Sequence, residues 1–122
     1  MSAKTMFPLR LVCFDQNDVG GSDECVLSIK ENNGEKDNTI ETYKPSLKNN
    51  QYSDLWTIKD KKESYIFDSL NAIKIKLNED DVFSDDTLGA HTLTDAEKEV
   101  GDFAIRFTQD DANYLFEYRI TE

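Results

Sequence analysis

The residues with the clearest chemical potential are carboxylates gathered in two short stretches. "LNEDDVFSDDTLG" (residues 77–89) contains five of them, and "FDQNDVGGSDE" (residues 14–24) contains a second group. Both stretches share an Asp, a hydrophobic residue and a following Ser-Asp pair ("DVFSD" and "DVGGSD"). A hard divalent cation such as Ca²⁺ takes about six to eight oxygen ligands and tolerates irregular geometry. The two stretches together predict one shared cation site.

Each stretch contributes several candidate ligands for such an ion. The ligands predicted from residue type are Asp15, Asn17, Asp18, Asp23, Asp80, Asp81 and Asp86. A single-loop EF-hand does not fit, because a loop starting at Asp15 has Val19 at its fifth position and Val26 at its twelfth. The alternative is that both stretches are ordinary solvated turns, since Asp and Asn favour turns through local backbone hydrogen bonds.

The net charge of the chain limits the classes of partner that it can bind. The chain has 25 acidic and 14 basic residues and a formal net charge of −11, which repels nucleic acid phosphates and argues against DNA or RNA binding. Excess carboxylate instead suits a bound cation or a basic protein partner.

An enzymatic function has little support in the sequence. The chain has one histidine, His91, with no recognisable nucleophile beside it, and it has no glycine-rich loop of the kind that cradles phosphate. We therefore expect that the protein is not an enzyme.

Alternation of apolar and polar residues predicts the elements that must position the carboxylates. The clearest strands are residues 9–13, 72–77, 103–107 and 113–120, with further candidates at 25–29, 39–43, 54–58, 64–67 and 90–94. Many short strands joined by turns indicate an all-β fold, a single antiparallel β-sandwich of about eight strands over residues 1–122. In that fold both acidic stretches are connections between strands, and we expect them at one end.

Other residues are interpreted by their place in this sandwich. Cys13 and Cys25 are expected to be reduced core residues, because free Cys packs as a small hydrophobe, and Trp56 is expected to anchor the core. One helical turn is predicted at residues 94–100, where Thr94 and Glu97 have capping-box spacing.

The sequence has no run of signal-peptide or membrane-spanning character. We expect a cytoplasmic protein, with peripheral membrane attachment or export without a classical signal as the other locations.

The acidic stretches resemble two motifs of C2 domains. "NDVGGSDECVLSI" is similar to the first calcium loop and second strand of that family, and "LNEDDVFSDDTLG" is similar to its third loop, including the closing Asp-x-Leu-Gly at residues 86–89. The resemblance implies an eight-stranded antiparallel sandwich whose loops bind Ca²⁺ to dock on phospholipid or protein. "SDECV" departs from the family, which usually has Pro and an aromatic after Ser-Asp. A βγ-crystallin calcium motif is the second-ranked resemblance.

The C2 resemblance also assigns ligands. Asp18 or Asn17, with Asp23, would match the first-loop acids, while Asp80 and Asp86 would match two third-loop acids. The remaining third-loop acid would fall on Asn78, and a shift of one residue would use Glu79 and Asp81 instead. The sequence does not choose between the two registers.

Two functions are carried forward. In the first, Ca²⁺ orders the two acidic loops and enables docking to a membrane, carbohydrate or protein, with Val82 and Phe83 contacting the target or, alternatively, folding back over the loop. In the second, an acidic inhibitor or immunity-type protein covers a basic site of a partner without metal.

Overall fold

Ten β-strands form two antiparallel sheets in a computed structural model that describes residues 3–16, 23–32, 36–80, 86–94 and 99–122. The strands are β1 (Lys4–Asp15), β2 (Asp23–Asn32), β3 (Asp37–Tyr43), β4 (Ser46–Leu47), β5 (Gln51–Asp54), β6 (Tyr65–Phe67), β7 (Ala72–Glu79), β8 (Asp86–Leu93), β9 (Gly101–Phe107) and β10 (Asn113–Thr121). Two short 3₁₀ turns lie at Leu55–Thr57 and Gln109–Asp111. The predicted all-β antiparallel sandwich is confirmed, with ten strands in place of about eight.

The first sheet has the order β5-β1-β10-β9, with β6 pairing to another part of β1. The second sheet has the order β3-β2-β7-β8, with β4 pairing to the start of β2. All of these pairings are antiparallel. The connection from β1 to β2 therefore passes from one sheet to the other at one end of the sandwich.

The core lies between the sheets because the central strands β2, β7 and β10 bury every second side chain. In β7 the inward positions are Ile73, Ile75, Leu77 and Glu79, and their neighbours along the strand are half-buried. Inward aromatic residues of β10 (Tyr114, Phe116 and Tyr118) face them from the first sheet. Burying an aliphatic or aromatic side chain of this kind contributes about 1.5–3 kcal/mol.

Two expectations about the middle of the chain are wrong. Residues 54–58 are not a strand, because β5 ends at Asp54 and a 3₁₀ turn follows. Trp56 is not a core anchor, since its side chain is 64% exposed and the buried residue of that turn is Leu55. The predicted helical turn at 94–100 lies largely outside the described residues.

Cys13 and Cys25 are free and buried, as predicted. Among the described residues there is no helix with the length and apolar character needed to cross a membrane.

Candidate functional site

Strand pairing brings the ends of the two acidic stretches together in the second sheet. Glu79, the last residue of β7, pairs with Cys25 of β2 on one side and with Asp86 of β8 on the other. The amide of Asp80 donates a hydrogen bond of 2.8 Å to the carbonyl of Glu24. The start of β2, the end of β7 and the start of β8 are therefore adjacent at one end of the sandwich.

The first sheet adds further polar groups at this end. Asp15 ends β1, pairs with Asn113 at the start of β10 and is exposed. The next residue, Gln16, is tied to the β4–β5 connection: its amide donates to Asn49 Oδ1 at 2.6 Å, and the Asn49 amide donates to Gln16 Oε1 at 3.2 Å. The end of β1 is thus held against a second connection before the acidic stretch begins.

Asp23 is the most deeply buried of the predicted ligands whose side chains the structure describes. It opens β2, is 0% exposed, and its Oδ2 accepts a hydrogen bond of 2.6 Å from the Tyr114 hydroxyl. A buried carboxylate is costly unless it is hydrogen-bonded, and Tyr114 supplies part of that compensation from the opposite sheet. The Tyr114 hydroxyl oxygen also accepts a weak hydrogen bond from the Cys25 thiol at 3.4 Å.

The groups around Asp23 stay protonated at neutral pH. Burial raises the pKa of the Cys25 thiol to about 12, and burial also raises the pKa of Cys13. The pKa of Tyr114 is raised by burial and then by its hydrogen bond to Asp23. These groups therefore remain neutral donors around the carboxylate.

Alternation along β7 separates the two registers left open by the sequence. Glu79 points inward and is 1% exposed, whereas Asn78 lies on the outer side and is half-buried. The Oδ1 atom of Asn78 is buried and has no hydrogen-bond partner among the described residues. Asp80, directly after the strand, is exposed. Asn78 and Glu79 both offer oxygen at the strand end, on opposite faces.

The remaining predicted residues are described only in part. The backbone of Asp86 is at the start of β8. Asn17, Asp18, Asp81, Val82 and Phe83 lie outside the described residues. Within the described ranges, no three His, Cys, Asp or Glu side chains are grouped closely enough to hold a metal ion. The structure therefore brings the ends of the two stretches together without describing a complete set of ligands.

Sequence reasoning missed Tyr114 and Asn49. Tyr114 has an inward position in the β10 alternation, but its partner Asp23 is 91 residues away in the chain. Asn49 lies in a polar stretch with no charge to mark it. Neither residue carries a charge, so neither stands out beside the carboxylates that mark the two stretches.

The predicted ligands at this end of the sandwich are oxygen donors, although the described ones are not grouped closely enough to hold a metal ion. The predicted ligands that are described offer only carboxylate or amide oxygen, from Asp15, Asp23, Asn78 and Asp80. The buried Asn78 Oδ1 is the kind of oxygen that gains most from a ligand. Oxygen donors of mixed charge are those that Ca²⁺ prefers.

The fold is that of C2 domains, since solved structures of such domains match nearly the whole chain. The first C2 domain of plant extended synaptotagmin 1 matches with a TM-score of 0.59 and 16% identity, over 97% of this chain and 91% of that one. A calcium-bound structure of the two C2 domains of extended synaptotagmin 2 matches with a TM-score of 0.55 and 12% identity, over 97% of this chain and 44% of that one.

Human GIVD cytosolic phospholipase A2 matches with a TM-score of 0.56 and 12% identity. The match covers 97% of this chain but only 16% of the phospholipase, so it concerns one part of that protein. No protein-family profile matches the sequence, and no curated protein matches it. The likeness is one of fold.

Proposed function

We propose that this chain is a calcium-binding interaction module, in which Ca²⁺ orders two acidic connections and so enables docking to a target. The observation that carries the proposal is the adjacency of the acidic ends: Glu79 pairs with Cys25 and Asp86, and the Asp80 amide bonds to Glu24. Acidic groups of both stretches must lie at one end of the sandwich whatever the path of the intervening residues.

Like charge explains why a cation would act as a switch. Carboxylates that crowd one end repel each other, and a divalent ion held between them replaces repulsion with attraction. Ca²⁺ would draw its ligands from Asp15, Asn17, Asp18, Asp23, Asn78, Asp80, Asp81 and Asp86. A calcium-bound structure with the same fold supports the choice of metal.

The module would bind rather than catalyse. Its targets would be a membrane, a carbohydrate or a protein, reached from the cytoplasm when Ca²⁺ binds. Val82 and Phe83 would contact that target once the carboxylates around them are neutralised.

A thermal melt in chelator and then in millimolar Ca²⁺, with Mg²⁺ as control, tests metal binding. Ligand at 100 times its dissociation constant stabilises a protein by about 2.7 kcal/mol, which corresponds to a shift on the order of ten degrees here. We expect that shift with Ca²⁺ and a much smaller one with Mg²⁺. Equal melting temperatures in chelator and in Ca²⁺ would contradict the proposal that the protein binds calcium.

Two double variants, one at the proposed site and one away from it, test where Ca²⁺ binds. Asp80→Asn with Asp86→Asn should abolish the calcium shift, whereas Glu99→Gln with Glu122→Gln changes the net charge equally at exposed positions away from the site. Sedimentation with phosphatidylserine–phosphatidylcholine vesicles, with and without Ca²⁺, then tests a membrane as the target. Binding of a basic protein without any calcium response would favour the metal-free inhibitor instead.

A further inference from the structure

An open groove lies on the outer face of the first sheet. It has a volume of about 780 Å³ and is lined by Phe7, Pro8, Leu9, Arg10, Trp56, Glu63, Glu117, Arg119 and Thr121. Cavities of this size bind small ligands or side chains of a partner. The groove uses none of the residues proposed to hold calcium.

The groove lies beside a part of β1 that has no neighbouring strand on one side, between the segments that pair with β5 and β6. On the side away from β10, β5 pairs with residues Arg10–Cys13 and β6 pairs with residues Lys4–Met6. Residues 7–9 lie between these pairings, at an irregularity of β1 that falls between Pro8 and Arg10. Pro8 has no amide hydrogen to offer a further strand, so the gap stays open.

The local turn holds Trp56 outward beside this gap. Leu55 is 2% exposed and anchors the 3₁₀ turn in the core, while Trp56 is 64% exposed. The Thr57 hydroxyl donates to the carbonyl of Asp54 at 2.9 Å, which closes the turn. Exposed Trp held in place by a rigid turn is a common anchor of protein interfaces.

Charge identifies the ligand class. Arg10 is neutralised by Asp54 at 2.9 Å, and Arg119 is neutralised by Asp102 through two contacts of 2.6 and 3.1 Å. Neither aspartate lines the groove. Together the four carboxylates (Asp54, Asp102, Glu63 and Glu117) and the two guanidiniums leave a net charge of −2 around the groove.

The two glutamates that line the groove are only partly compensated. Glu117 shares Arg10 with Asp54, lying 4.0 Å from Arg10 Nε against 2.9 Å for Asp54, and Glu63 is exposed with no ion pair to any described residue. A groove lined by two carboxylates and an indole favours a cation, which gains from both Coulomb attraction and the ring face. The net charge of −11 steers basic partners toward the molecule.

We infer that the groove binds a lysine- or arginine-bearing, otherwise apolar segment of a partner protein. Glu63 and Glu117 hold the cation beside the Trp56 indole, and Phe7, with Leu9, contacts the apolar residues. This binding needs no metal and goes beyond the proposed calcium function.

Trp56 is the only tryptophan of the chain, so its fluorescence reports on the groove directly. The probe is the capped peptide Leu-Pro-Arg-Leu-Pro-Arg-Leu, titrated in chelator, and its control replaces both arginines by neutral citrulline. We expect a saturable change in Trp56 emission, with the citrulline peptide binding at least about fivefold more weakly. Equal binding of the two peptides, or no response at millimolar peptide, would overturn the inference.

Substitutions of the two glutamates test whether they bind the cationic side chain of the peptide. Glu63→Gln with Glu117→Gln should weaken the arginine peptide about fivefold or more, while Glu31→Gln, in the second sheet, should not. The two groove positions are exposed or partly exposed, and circular dichroism checks that the fold is retained. Binding unchanged in the double variant contradicts the inference, as does an emission change with phosphatidylserine vesicles but not with peptide. Because chelator is present throughout, these results are independent of the calcium test.

Discussion

Tyr114 connects the candidate calcium site to the core at the level of single atoms. Its hydroxyl donates to the buried Asp23 at 2.6 Å, so Tyr114→Phe removes one partner of a buried carboxylate. We expect a loss of about 1–3 kcal/mol in the free energy of unfolding, the usual cost of leaving such a group undersatisfied. Urea denaturation measures it.

The matched control for Tyr114→Phe is Tyr52→Phe. Tyr52 is 56% exposed on the outer face of β5, under the guanidinium of Arg10, and loss of its hydroxyl should change stability by less than about 0.5 kcal/mol. If both variants unfold at the wild-type urea midpoint, the Tyr114 hydrogen bond does not stabilise the buried Asp23.

The Cys25 thiol makes the free energy of unfolding depend on pH in the alkaline range. Burial raises its pKa from 9.0 to about 12, so between these values the unfolded chain loses the thiol proton while the folded chain keeps it. The contribution is complete below pH 9 and is lost as the pH rises, at about 1.4 kcal/mol per pH unit. The groups that contact or act on the thiol are Tyr114, Asp23, Cys13 and Glu79.

We expect Cys25→Ala to reduce the slope of unfolding free energy against pH above pH 9, measured by urea denaturation at several pH values. The variant also loses packing, so the slopes are compared rather than the absolute stabilities. Identical slopes would contradict a thiol held protonated by burial.

At the scale of elements, Gly89 allows β8 to pack against β9. A Cβ atom built on Gly89 would overlap Phe107 Cδ1 and lie 2.8 Å from Phe107 Cβ. Because Phe107 Cβ is the base of that side chain rather than a flexible tip, the clash cannot be relieved by a small rotation. Gly89→Ala should therefore destabilise the fold by about 1–3 kcal/mol. This contact gives the final glycine of the Asp-x-Leu-Gly motif a packing reason.

A double-mutant cycle distinguishes the clash with Phe107 from other effects of replacing Gly89. Phe107→Leu alone should destabilise by leaving a cavity, but Gly89→Ala combined with Phe107→Leu should cost less than the sum of the two single changes. Additive costs, measured by urea denaturation, would show that the added methyl and the Phe107 ring do not conflict.

The strands were largely predictable because burial repeats every second residue. Alternation located β7, β9 and β10 within a few residues. It failed at residues 54–58, where apolar residues adjoin in a 3₁₀ turn and only Leu55 is buried. Hydrophobicity alone does not tell which of two neighbouring residues faces the core, and the exposure of Trp56 followed from that.

The candidate site was predictable in composition but less so in detail. Residue type alone indicated which acidic stretches should meet, since charge density is visible in the sequence. The inward placement of Glu79 and the Tyr114–Asp23 hydrogen bond depend on register between strands distant in the chain. Pairing of that kind leaves no local pattern.

At the scale of the whole molecule, charge is unevenly distributed. The three arginines all lie on strands of the first sheet, at positions 10, 106 and 119, and several carboxylates lie at the end where β2, β7 and β8 meet. Arg10 and Arg119 pair with nearby aspartates. Arg106 lies at the acidic end itself, where it donates to Asn113 Oδ1 at 2.7 Å, and the carboxylates there still outnumber it. Self-repulsion should therefore be concentrated at that end and should oppose folding.

Salt and calcium should relieve this repulsion by different routes. Raising NaCl from about 0.01 M to about 0.15 M shortens the screening length from roughly 30 Å to about 8 Å, so the melting temperature in chelator should rise. With saturating Ca²⁺ the repulsion is already neutralised, and the same change in salt should have a smaller effect. Mg²⁺ at matched ionic strength should leave the salt dependence unchanged. An equal salt dependence in chelator and in Ca²⁺ would mean that the ion does not bind where the acidic residues converge.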